Sequence, residues 1–68
     1  MLREILYILP IGQKWGVAYQ SGLARGLFES RNVAEEYARE AARTVRPSAV
    51  VLLGPGGHEL RRETFDSQ

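Results

Sequence analysis

Between Ser30 and Pro47 the apolar residues recur at helical spacing, and most of them are alanine. Ala34, Tyr37, Ala38, Ala41, Ala42 and Val45 form one stripe on an otherwise charged helix. Such a stripe constrains the fold because alanine has little side chain of its own to bury. It lets the helix axis lie close to a surface that supplies the bulk, since interiors pack to crystalline density. The bulk lies upstream, where Trp15, Val17 and Tyr19 alternate with Gly16 and Ala18 at the period of a strand. The pattern predicts one helix locked onto a sheet, with Trp15 buried against it. Ser30 fits the N-cap, and Asn32 with Glu35 forms a rival capping box. Glu35 and Arg39 are spaced for an i,i+4 pair, expected on the solvent side. Pro47 cannot continue the helix and disfavours helical geometry at Arg46.

The rest of the chain reads as strands. Glu4 to Leu9 places Ile5, Tyr7 and Leu9 on one face and Leu6 and Ile8 on the other. Pro10-Ile11-Gly12-Gln13 reads as a hairpin turn into Lys14–Gln20. After the Ser21-Gly22 turn, Leu23–Phe28 can form a short third strand. Ser48–Leu53 is a continuous apolar run. Gly54-Pro55-Gly56-Gly57 is a tight turn by composition, and His58–Phe65 is a more polar returning strand. Asp66 to Gln68 should fray. The predicted class is α+β: an antiparallel sheet with a single helix packed on one face, in the order β-β-(β)-α-β-β, over one domain spanning 1–68.

A chain of 68 residues buries only roughly 60% of the surface its unfolded form exposes. It holds no cysteine, so no disulfide supplements that small core, and association is the natural supplement. No apolar run is long enough for a signal peptide or a membrane span, so the expectation is a cytoplasmic chain with no membrane partner. Nine basic against eight acidic residues give a formal charge of +1, and bulk electrostatics therefore points to no partner.

The candidates for chemistry each have a plainer reading. His58, the single histidine, stands beside a glycine turn without companions at ligand spacing, and reads as an exposed turn residue. Ser21, Ser30, Ser48 and Ser67 have turn, cap or terminal roles and no base for a triad. Glu35, Glu36 and Glu40 read as a solvated helix face. The glycine turn lacks the Lys and Ser or Thr of a phosphate loop, and no helix follows it. Arg61 and Arg62 point to opposite faces, so with Arg43 and Arg46 they form no single site. Of the aromatic residues, Trp15, Tyr19, Tyr37 and Phe28 read as core, leaving Tyr7 as a possible stacking surface. The expectation is a non-enzymatic protein with no cofactor and no metal.

The first and fourth strands are apolar on both faces, whereas one helix covers one face. Monomers avoid such exposed patches. The sequence therefore predicts a homodimer through the uncovered face, assigned to Leu6, Ile8, Val51 and Leu53, or through an edge strand. Another protein is the alternative partner.

Lys14 to Ala18, Phe28 to Arg31, Ala34 to Ala42, Ala49 to Leu52 and Gly56 to Arg61 together resemble a family of small bacterial ββαββ domains of uncharacterised function. Those sequences read as a W-x-V strand, a Thr- or Ser-capped helix with E-A-x-x-A-A-R-x-x-A, a V-V strand and a glycine turn ending in G-x-I-R. The likeness spans nearly the whole chain, departing at Gly54 to Gly57 and in the longer, more apolar first strand. It implies a fold and no activity. Trp15, Gly26, Phe28 and Ala34 to Ala42 also resemble, more faintly, the sheet-type DNA-binding domains of plant transcription factors and phage integrase arms. That likeness implies a sheet entering the major groove, for which this chain offers Lys14 and Arg25. Nucleic-acid binding through the sheet is thus the alternative function.

Overall fold

The computed structural model describes residues 2–22 and 24–66, residues 24 and 25 by their backbone. Leu23, the expected start of the third strand, and Ser67 lie outside the described residues. The chain forms β1 (Glu4–Ile11), β2 (Lys14–Tyr19), β3 (Ala24–Phe28), α1 (Arg31–Thr44), β4 (Ser48–Leu53) and β5 (Glu59–Phe65). One five-stranded sheet results, in the order β3-β2-β1-β4-β5, with α1 on one face.

The expected all-antiparallel sheet needs one correction, because β1 and β4 pair in parallel. Two tight turns bring β3 back to the direction of β1. The 14-residue helix then crosses over β2 and β1 and delivers β4 in that same direction. Parallel neighbours require such a crossover, whereas the remaining pairs need only turns. β1 and β4 therefore become the two central strands flanked by β2 and β5, which suits their apolar residues on both faces.

Pro10 and Ile11 belong to β1 rather than to the turn. Ile11 pairs with Lys14, leaving a two-residue loop of Gly12 and Gln13. Gly12 has φ +64°, the positive φ that a type II′ hairpin places at its first central residue.

The helix begins where the sequence indicates. Ser30 Oγ accepts from the Val33 amide at 3.2 Å, so Ser30 and not Asn32 is the cap. At the other end, buried Ser48 donates its hydroxyl to the Ala42 carbonyl at 2.8 Å, tying the start of β4 to the last helical turn. Thr44 Oγ1 donates to the Ala41 carbonyl at 2.8 Å. These bonds satisfy acceptors that a helix C-terminus leaves unpaired.

The core lies between the alanine stripe and one sheet face. Ala34, Ala38 and Ala42 pack with Leu6, Ile8, Val17, Val50 and Leu52. Trp15, Tyr19, Phe28, Tyr37, Ala41 and Phe65 frame it half-buried. Trp15 is packed against the core as expected, though half-buried rather than fully enclosed. Phe28 and Tyr37 bring sheet and helix together with ring centroids 5.1 Å apart.

Candidate interaction surface

The face of the sheet away from α1 is built from Ile5, Tyr7, Leu9 and Ile11 of β1 and their lateral neighbours. The strand registers order it into rows. Leu27, Gly16 and Leu9 are successive partners across β3, β2 and β1. Leu53 follows on β4, one residue beyond the Ile8–Leu52 pair, and is itself paired with Glu59 of β5. The next row is Ala18, Tyr7, Val51 and Arg62, and below it come Ile5, Ala49 and Thr64.

The two upper rows differ in exposure. Val51 is buried between its partners Tyr7 and Arg62, and Ala49 is also buried. Toward the β1–β2 hairpin the face opens. Ile11 is 47% and Leu27 57% exposed. With Leu9 they wall an apolar groove of about 200 Å³ whose floor includes Gly16 and Ala18. Gly16 lets the Ile11 side chain lie close over β2, since a Cβ there would sit 2.6 Å from Ile11 Cδ1 and push that side chain aside. Leu60, the extra residue at the bulge in β5, is 55% exposed and lies beside Gly54.

The residues assigned to a dimer face divide. Val51 and Leu53 belong to the uncovered face, but Leu6 and Ile8 do not. Their parallel pairing with Val50 and Leu52 turns them under the helix, where both are buried among its alanines. The apolar residues of β1 on the uncovered face are the odd-numbered ones, with Leu9 half-buried and Ile11 exposed. Sequence alternation alone separates the two sets but does not say which set the helix takes.

Charge at the rims of this face is compensated. Lys14, beside Ile11, pairs with Glu29. Arg62 makes a two-bonded contact with Glu59, both oxygens accepting at 3.0 Å. That hydrogen bond holds the Glu59 carboxyl below the ordinary carboxylate range and raises the Arg62 guanidinium. The side chain of Arg25, the other candidate nucleic-acid contact, lies outside the described residues.

On the covered side an ion network joins helix to β5. Glu35 is 7% exposed, not solvated as its position in a charged helix suggests. It receives Arg31 at 3.2 Å, Arg39 at 3.1 Å and Arg61 at 2.9 Å. Arg39 also donates Nε to Glu63 at 3.0 Å, which chiefly raises its pKa against the opposing effect of burial. The expected Glu35–Arg39 pair exists, but inside this network. The spacing Arg31-x3-Glu35-x3-Arg39 was the available signal, since it surrounds one carboxylate with cations a turn away on both sides. Three arginines thus share the two carboxylates of Glu35 and Glu63.

The remaining polar candidates fill structural positions. His58 is exposed in the turn, where its backbone carbonyl accepts from the Gly54 amide at 2.9 Å. Ser21 donates to Glu4 Oε2 at 3.5 Å. Arg43 pairs with Glu40, and Arg46 lies 5.9 Å over the Phe65 ring while donating to the Asp66 carbonyl. Arg61 and Arg62 lie on opposite faces, as the alternation indicates. Among the described residues no group of three or more His, Asp or Glu side chains is placed to hold a metal ion. No helix among them is long and apolar enough to cross a membrane. No family model, no curated protein and no solved structure matches the chain.

Proposed function

We propose that this chain is a small, non-enzymatic, cytoplasmic interaction module that works through the uncovered face of its sheet. The observation that carries the reading is the open groove, where Ile11 and Leu27 stand exposed and Leu9 half-buried beside a glycine and alanine floor. Exposed apolar patches of this kind mark interaction sites in folded proteins. The ion pairs at both rims supply a polar border, the usual anatomy of an interface.

Nucleic-acid binding through the same sheet is the alternative. Engagement of Lys14 by Glu29 weighs against it, because phosphate binding draws on cations free to replace counterions. Light scattering of the protein with a short random-sequence DNA duplex separates the two. The interaction-module reading expects no change of mass at physiological salt. Retention of the protein on the duplex at that salt would overturn it.

A further inference from the structure

On the helix side of the sheet, a cleft of about 310 Å³ lies between β2 and the end of α1, lined by Tyr19, Tyr37, Glu40, Ala41 and Thr44. None of these residues belongs to the uncovered face or to the ion network around Glu35. We infer that this cleft binds a quaternary ammonium group.

Three features of the lining favour a positive charge. Tyr19 and Tyr37 are both half-buried, and tyrosine rings carry negative potential on their faces, which attracts cations. Phe28 packs on Tyr37 with ring centroids 5.1 Å apart, which steadies one of the two rings. The Glu40 carboxylate adds a full negative charge. Its partner Arg43, 3.1 Å away, is not part of the lining. Both side chains of that pair are exposed, and a pair of this kind binds weakly enough for its carboxylate to be shared. Ala41 and Thr44 belong to the last turn of α1, where the carbonyl ends of the peptide dipoles also favour a cation.

The same lining selects among cations. A primary ammonium brings three N–H donors and a guanidinium five, and each needs an acceptor once it leaves water. Glu40 already accepts from Arg43, and the Ala41 carbonyl already accepts from Thr44 Oγ1. A quaternary ammonium has no N–H group and spreads its charge over a surface of methyl groups. It asks only for ring faces, apolar contact such as the Ala41 methyl, and a carboxylate nearby. The volume is at the low end of small-molecule sites, which begin at about 300 Å³, and so suits a compact head group.

Choline and its neutral analogue 3,3-dimethylbutan-1-ol share a shape and differ in charge. Titration of the full chain with each, followed through the methyl NMR signals of Ala41 and Thr44, reads the site. Choline should shift both signals, with a dissociation constant about tenfold below that of the neutral alcohol, the advantage that two aromatic rings give a cation. Glu40→Gln, at an exposed position, should weaken choline binding about threefold, the scale of an exposed charge pair. Arg43→Ala, which leaves Glu40 unshared, should not weaken it.

Phosphatidylcholine vesicles separate the two sources of such a group. Co-flotation of the protein that free choline reverses assigns the cleft to a lipid headgroup, and binding of free choline without co-flotation assigns it to a soluble ammonium compound. Equal affinity for choline and the neutral alcohol would make the cleft an apolar pocket and overturn the inference. So would the absence of a shift at Ala41 and Thr44 at every choline concentration.

Discussion

Replacing Glu35 with glutamine tests the ion network that fastens β5 to the helix. The change keeps the side chain's volume and removes its charge. Arg31, Arg39 and Arg61 then face an amide that accepts with one atom and presents two donors with the other. Hydrogen bonds to a charged group contribute about 1.5–3 kcal/mol each. The three arginines retain different access to water, with side-chain exposures of 51%, 31% and 53%. Most of the loss at the two half-exposed cations is recovered by hydration, as at surface pairs. Arg39 also keeps its bond to Glu63. The expected cost is therefore about 2 kcal/mol, well short of the 3–5 kcal/mol that follows when a fully buried charge loses its partner. A domain of this length has roughly 3–10 kcal/mol of stability in total. The variant should accordingly melt roughly 8–16 °C lower. Urea unfolding measures the change directly. A double-mutant cycle of Glu35→Gln with Arg61→Ala should return about 1 kcal/mol of coupling between α1 and β5. A single-variant loss under about 0.5 kcal/mol, or a coupling of zero, would show that the network does not fasten the strand.

Three further outcomes follow from the same geometry. Ala38→Leu forces a large side chain between α1 and the sheet, and should cost about 1–3 kcal/mol in urea unfolding; a neutral result would mean that the helix does not approach closely there. Gly12→Ala places a Cβ at φ +64° and should cost about 1–2 kcal/mol, which an unchanged unfolding midpoint would contradict. Glu59 has a lowered pKa from its hydrogen bond with Arg62. Its contribution to stability is therefore fully present above the unfolded carboxyl value of about 4.3 and is lost as pH falls through the lower folded value. Carbon-detected NMR titration should find its midpoint below that of an unpaired glutamate, and Arg62→Ala should return it to the ordinary range.

What the sequence reveals here is what local chemistry decides. The alanine stripe, the Ser30 cap and the alternation from Trp15 to Tyr19 each depend on residues within a few positions of one another, and each appears in the structure as read. The order of strands in the sheet is set by pairing across the whole chain. The parallel β1–β4 ladder therefore escaped the reading, although the apolar run of Ser48–Leu53 is what a central strand beside a parallel neighbour displays. The same ladder decides which face of β1 the helix covers, and it places Leu6 and Ile8 in the core instead of on the open face. Glu35 is buried rather than solvated for a related reason. Its burial depends on Arg61, which is 26 positions away in sequence and is brought beside it only when β5 pairs with β4. The open groove was only partly legible, because Ile11 reads as a turn residue until the hairpin is seen to close at Gly12 and Gln13.

On the reading proposed above, the face opposite the helix is where this protein meets a partner. Methyl NMR with a soluble paramagnetic agent, run over a range of protein concentration, probes that placement. At low concentration the methyls of Ile11 and Leu27 should relax strongly, while those of Leu6 and Ile8 stay protected under the helix. Where the mass doubles as concentration rises, Leu9, Leu27 and Leu53 should gain protection together. A doubled mass with the relaxation of Leu9, Leu27 and Leu53 unchanged would put the contact elsewhere and contradict that placement.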